Sequence, residues 1–245
     1  MLKTLTIAAR VALVREQIVR AATSADRDPA SVRLMAVSKT APVEAIEKAI
    51  EAGITLFGEN RVQEAESKFG VRRPLMSGEQ GSGLRGEKID LHMVGSLQRN
   101  KAKRAALIFD CVQSVDRADL AIDLEHATEG KGTVLPVLLE VNLTGEASKS
   151  GVSPELLPAL ADTLALCPHL KGLGLMTVAR IGSDERELRE TFTSLRGLLE
   201  RLQTTHPGEW RELSMGMSGD FEAAIKEGAT IVRIGRAIFG ERGVN

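Results

Sequence analysis

The chain has 245 residues, 43% of them hydrophobic and 27% charged, with Lys+Arg 32 against Asp+Glu 33 and a formal net charge of -1. That length suits one (β/α)8 barrel and that hydrophobic content a substantial core, while the balanced charge excludes an electrostatic case for a nucleic-acid partner. Cys111 and Cys167 lie outside any C-x-x-C pair, no apolar run could span a bilayer and no signal-peptide pattern opens the chain, so the expectation is a cytoplasmic protein with reduced thiols and no membrane contact.

Residues 5–22 are predicted as an amphipathic helix, because Leu5, Ala8, Val11, Ala12, Ile18 and Val19 fall near one face. Arg10, Arg15 and Arg20 would also suit a transit peptide, but Glu16 and the clean periodicity favour a docking helix. After a connection over 23–31, Val32, Leu34, Met35, Ala36 and Val37 form an almost continuous apolar run, the pattern of a parallel strand covered on both faces. The run stops at Lys39, and Pro42 opens the helix over 43–52, which Gly53 ends. A short strand over 54–57, a Gly58-Glu59-Asn60 turn and a helix over 62–69 follow. The stretch from Gly70 to Lys88, with Gly78, Gly81, Gly83 and Gly86, reads as a surface insertion.

Further strands are predicted over 89–95, 108–112, 134–142, 170–177, 212–215 and 230–234, and helices over 98–106, 119–127, 154–166, 185–203 and 221–227. Eight strand–helix alternations behind one leading helix, with no linker to divide them, imply an α/β chain that is one domain over 1–245. Each parallel crossover needs a helix, so the expected form is a single (β/α)8 barrel with an extra N-terminal helix.

In such a barrel the C-terminal strand ends share one mouth, where the fold keeps its chemistry. Lys39 there is either a strand-end charge reaching water or an amine whose pKa desolvation would lower, freeing it to form an imine. Ser214-Met215-Gly216-Met217-Ser218-Gly219-Asp220 follows strand seven, with Ser218 placed to cap the next helix. Arg233-Ile234-Gly235-Arg236 follows strand eight, with open amides expected at Gly235 and Arg236. Loops after strands seven and eight are the recurrent phosphate site of these barrels. Arg233 interrupts a buried strand; it could pair with Glu59 or Glu140, or point into the mouth. An amine, a phosphate cradle and an arginine together match the needs of pyridoxal phosphate. The four histidines, among them His92 in strand three, have no metal-ligand spacing, so no metal is expected. Asp116 is assigned no chemistry.

These segments resemble the pyridoxal-phosphate homeostasis proteins, related to the barrel domain of alanine racemase. The matching stretches are Ala36-Val37-Ser38-Lys39-Thr40, Gly58 through Glu64, His92 through Lys101, Val141-Asn142 through Glu146 with Lys149 and Gly151, Gly174 through Thr177, and Leu213 through Gly240. The resemblance places a cofactor imine on Lys39, the phosphate near Ser218 and the amides of Gly235 and Arg236, Arg233 near the pyridine nitrogen and Asn60 beside the ring. Two departures are a longer, glycine-rich 70–88 stretch and Arg236 where relatives often carry a small hydroxyl residue.

The implied function is intracellular pyridoxal 5'-phosphate homeostasis, as a carrier or regulator with little or no turnover and no catalytic residue of its own. Candidate clients are PLP-dependent apoenzymes, and the expected state is a monomer or weak dimer. The alternatives are a PLP-dependent amino-acid racemase-like enzyme and a flavin- or sugar-phosphate-binding barrel in which Lys39 is only a charge. Against the racemase stands the absence of any tyrosine and a chain that ends soon after strand eight, because racemisation wants a second acid–base group on the opposite face of the substrate.

Overall fold

A computed structural model of the chain describes residues 5–70, 84, 89–129, 133–146, 150–206 and 208–240. The expected 70–88 insertion, apart from Gly70 and Leu84, lies outside the described residues, as do Lys149 and the last five positions.

Strands β1 (Arg33–Val37), β2 (Leu56–Glu59), β3 (Asp90–Met93), β4 (Cys111–Val115), β5 (Leu135–Glu140), β6 (Leu170–Met176), β7 (Glu212–Ser214) and β8 (Ile231–Ile234) close in sequence order into one parallel barrel. β1 closes the ring on β8, with Met35 opposite Arg233 and Ala36 opposite Ile234. The intervening helices are α2 (Val43–Glu51), α3 (Val62–Phe69), α4 (Ala102–Ile108), α5 (Ala118–Thr128), α6 (Leu157–Ala165), α7 (Glu185–Thr205) and α8 (Phe221–Lys226). The expected (β/α)8 barrel is therefore the observed fold. The leading helix is α1 (Ile7–Thr23), capped by the Thr6 hydroxyl on the Ala9 amide. Its Val11, Val14 and Ile18 are buried in the main core. A last short helix, α9 (Arg236–Phe239), follows β8. Among the described residues no helix is long and apolar enough to cross a membrane.

Alternation divides each strand into two faces. Outward residues such as Ala36, Phe57, Val112 and Leu139 join the large core under the helices. Inward ones form two small separate clusters, Met35–Leu56–Ile231 and Cys111–Leu138–Met176, which fill the inside of the barrel.

Two strands sit apart from their expected positions. β4 begins at Cys111 rather than Ile108, because Ile108 ends α4 and Phe109 caps it, both buried against the core. β2 runs two residues later than expected, so Gly58 and Glu59 are strand rather than turn.

Between β5 and β6 the register slips at Leu173, the extra residue between Gly172, opposite Val137, and Gly174, opposite Leu138. Gly174 then touches β7: a Cβ built on it would lie 1.9 Å from the Glu212 carbonyl oxygen. Gly172 likewise leaves room for the buried Trp210 ring, 2.7 Å from where its own Cβ would be. Replacing Gly174 with Ala should force β6 and β7 apart and cost about 3 kcal/mol or more, the range of a severe overpacking clash. Urea unfolding of the variant would check this; a midpoint equal to wild type would contradict it.

Candidate functional site

The mouth is assembled from the C-terminal strand ends. Lys39, half-buried, stands two residues beyond β1. Ser38 before it is fully buried and Thr40 after it adopts a left-handed φ of 62°, a strained conformation for a β-branched residue. A clamp from α3 accounts for that turn. Lys68 Nζ donates to the Ser38 carbonyl at 2.8 Å, to Glu59 at 3.1 Å and to Glu64 at 2.6 Å. Glu59 accepts from the Ser38 hydroxyl at 2.7 Å, and Glu64 accepts from the Thr40 amide. Burial raises the Glu59 carboxyl despite Lys68 beside it. Burial also pushes Glu64 upward, but the hydrogen bonds from Lys68 and Thr40 outweigh it and hold that carboxyl low. Glu59 thus faces α3, away from the barrel axis, and is not the partner of Arg233.

Arg233 is inward and 4% exposed. Its Nη1 donates to the Ser214 carbonyl at 2.6 Å and hydroxyl at 2.8 Å, and its Nη2 to the Thr177 carbonyl at 2.6 Å. Burial lowers the guanidinium to about 10, with Glu140 and Asp220 pulling the other way, so it stays charged at neutral pH. The backbone amide of Arg233 donates to Gly216 at 2.9 Å, tying β8 to the loop after β7.

Ser218 does not cap α8. The N-cap of that helix is Asp220, whose carboxylate accepts from the Met217 amide, and Ser218 turns the other way. Its hydroxyl accepts from the Ala237 amide of α9 at 3.4 Å, joining the two loops expected to form one cradle. Among the described residues no acceptor faces the amides of Gly235 or Arg236. A Cβ on Gly235 would lie 3.3 Å from the Val37 carbonyl, so this cradle abuts the end of β1 that leads to Lys39. The Arg236 side chain is exposed. Asn60 follows β2 on the same rim, backed by Gly95, whose Cβ would lie 2.4 Å from the Asn60 carbonyl oxygen. No hydrogen bond among the described residues links the Asn60 side chain to the other five. The structure thus brings Lys39, Ser218, Arg233, Gly235 and Arg236 to one side of the mouth and Asn60 to its adjoining rim.

Glu140, at the end of β5, is a member of this mouth that the sequence reading named only as a partner for Arg233. It is 8% exposed and its Oε2 has no hydrogen-bond partner. Burial, and secondarily the charge of Asp116, push its carboxyl up to about 7, with Arg233 opposing. Asp116 itself bonds Arg117 and the Gly151 amide, closing the loops after β4 and β5. The available signal for Glu140 was a lone charge in Leu135-Pro136-Val137-Leu138-Leu139-Glu140-Val141. Lys68 offered only its i, i+4 spacing from Glu64. Among the described residues no three His, Cys, Asp or Glu side chains gather as a metal site.

An amine, a charged arginine and a pair of amides beside a hydroxyl, gathered at the mouth of a parallel barrel, are the groups that a phosphorylated carbonyl compound would need. The model of the alanine racemase N-terminal domain family matches residues 12–243. The "Pyridoxal phosphate homeostasis protein" of Pseudomonas aeruginosa is 43% identical over 97% of this chain and 96% of its own, and that of Escherichia coli is 39% identical over 96% and 97%. The structure of PipY of Synechococcus elongatus with pyridoxal phosphate bound superimposes with a TM-score of 0.80 at 35% identity, covering 96% of this chain and 100% of that one. Alanine racemase from Corynebacterium glutamicum shares the fold, with a TM-score of 0.67 at 19% identity over 98% of this chain and 63% of its own. The chain belongs to the pyridoxal phosphate homeostasis protein family, within the alanine racemase N-terminal domain family.

A carboxyl raised in the folded state binds its proton before the unfolded chain does. Its contribution to stability is therefore fully present below about pH 4.5 and lost as pH rises through about 7. Glu140→Gln keeps the shape without the charge. Its stability relative to wild type should climb between pH 5 and pH 8, by at most about 3 kcal/mol. Urea unfolding of both proteins at the two pH values measures this, and a difference that does not change with pH would contradict it.

Proposed function

We propose that the protein binds pyridoxal 5'-phosphate covalently through Lys39 and serves the intracellular supply of that cofactor as a carrier or regulator, with little or no turnover. The observation that carries the reading is the cradle at the end of β1: Ser218 reaches Ala237, and Gly235 abuts Val37, two residues before the lysine. The names of the curated relatives and the cofactor bound in the PipY structure support it.

The donor set fits this group. The hydroxyl of Ser218 and the amides of Gly235 and Arg236 hold the phosphate, and the exposed Arg236 side chain contributes charge rather than a short contact. Arg233 meets the ring nitrogen as a hydrogen-bond donor and keeps its own proton, since its pKa of about 10 lies far above neutrality. Asn60 lies beside the ring, and the clamp of Glu59, Glu64 and Lys68 fixes the turn that aims Lys39. When bound, the cofactor supplies an aldehyde and an electron-withdrawing ring. With an arginine at the nitrogen that ring remains unprotonated, a setting that suits storage better than carbanion chemistry. PLP-dependent apoenzymes are the corresponding clients.

Borohydride treatment of the loaded protein followed by peptide mapping should mark Lys39, and Lys39→Ala should abolish both the mark and the visible absorbance. Labelling at another lysine would overturn the attachment site. The racemase alternative draws on the shared fold, but the chain has no tyrosine. Incubation of the loaded protein with L-alanine in heavy water should give no D-isomer at a typical enzyme rate, on the order of 1 per second or more; such turnover would install the racemase reading instead.

A further inference from the structure

A line of polar side chains crosses the inside of the barrel from its base to its mouth, between the two apolar clusters. At the base, Asp90 opens β3 and its side chain is 46% exposed. Its Oδ1 lies 3.2 Å from Nε2 of His92, which is buried two residues further along the same strand. His92 Nδ1 lies 2.7 Å from the Gln113 amide nitrogen on β4. The Gln113 amide oxygen accepts from the Ser214 hydroxyl of β7 at 2.6 Å, and that hydroxyl accepts from Arg233 Nη1 at 2.8 Å. Gln113 and Ser214 are fully buried.

The order of donors and acceptors in this line follows from the orientation of the Gln113 amide, whose oxygen faces Ser214 and whose nitrogen faces His92. Arg233 can only donate, so Ser214 Oγ accepts there, and its single proton goes to the Gln113 oxygen that faces it. The Gln113 oxygen is then used as an acceptor, and its NH2 donates to His92 Nδ1. His92 thereby accepts at Nδ1 and donates from Nε2 to Asp90. Each member fixes the orientation of the next. A leucine at 113 would leave both the Ser214 proton and His92 Nδ1 without partners, and Ser214 would lose its reason to turn a lone pair toward Arg233.

We propose that Gln113 and Ser214 are positioning residues which, anchored by His92 as an Nδ1 acceptor, set the angle at which the Arg233 guanidinium faces the ligand in the mouth. The ligand half of this rests on the reading of Arg233 as the contact to the pyridine nitrogen; the hydrogen-bond order does not.

Two substitutions at one position separate positioning from mere packing. In Gln113→Leu the line is cut. In Gln113→Glu one carboxyl oxygen still accepts from Ser214, and a proton still lies between the other oxygen and His92 Nδ1, so the line is preserved. Gln113→Leu and Ser214→Ala should each raise the Kd for pyridoxal phosphate about tenfold and shift the visible band of the bound cofactor, the loss expected for about one buried hydrogen bond. Gln113→Glu should stay within about threefold of wild type, a difference too small to represent a lost hydrogen bond. Independently, nitrogen NMR of the ligand-free wild type should show His92 bare on Nδ1 and protonated on Nε2 at neutral pH.

A proton on Nδ1, a folded Gln113→Leu protein that binds like wild type, or a Gln113→Glu protein as impaired as Gln113→Leu would each overturn the proposal. A wild type that takes up no pyridoxal phosphate would overturn the functional reading, and with it the ligand half of the positioning role. The nitrogen spectrum judges the hydrogen-bond order on its own.

Discussion

The burial of one guanidinium governs how the mouth of this barrel is built. Arg233 cannot shed its charge at neutral pH, and a charge taken out of water is costly unless its donors are matched and a countercharge is near. The barrel meets that demand from three directions. Ser214 on β7 supplies two acceptors, the Thr177 carbonyl after β6 supplies a third, and the carboxylates of Glu140 and Asp220 supply opposite charge at longer range. The Thr177 hydroxyl in turn donates to the Val141 carbonyl, extending the tie to β5. Four consecutive strand ends are therefore locked around one side chain, and the loops after β7 and β8 inherit their positions from it.

The lysine on the opposite side of the β1–β8 seam is fixed by a different device. Its turn is held by an ion-paired cluster on the outside of the barrel, where Lys68 bridges Glu59 and Glu64. Breaking a part-buried cluster of this kind is more damaging than its net contribution would indicate, because the partner left behind is an unpaired buried charge. Arg233 and the lysine turn thus depend on separate networks, one inside the barrel and one between barrel and helix.

Much of this was readable in the sequence because parallel strands buried on both faces announce themselves as apolar runs, and the helices between them keep a different period. The eight alternations, and the placing of Lys39, Ser218, Arg233, Gly235 and Arg236 at strand ends, follow from that contrast. The errors arise where the contrast fails. Ile108 and Phe109 are apolar because a helix end is buried against the core, which is indistinguishable by composition from a strand. Gly58 and Glu59 carry turn chemistry but pair within β2, because Gly58 faces the crowded interior and Glu59 finds Lys68 outside. Ser218 has the identity of an N-cap, yet a neighbouring loop from β8 offers its amide instead. The interior line from Asp90 to Arg233 was illegible for another reason: its members lie on four strands, and no spacing along one chain encodes contacts across a barrel.

The seat of Trp210 has an optical consequence. The chain has one tryptophan and no tyrosine, so its near-ultraviolet emission issues from a single buried ring, lodged over Gly172 just before β7. That seat lies outside the strands at the base end of the barrel, beside Leu164 of α6, roughly 15 Å from the rim along β6 at about 3.3 Å per residue. A chromophore in the mouth lies within range of dipolar energy transfer from that ring, yet too far to touch it. The protein thus carries an internal ruler: the brightness of Trp210 would report a chromophore placed at the rim, while the colour of its emission would report the seam of β6 and β7 beside it.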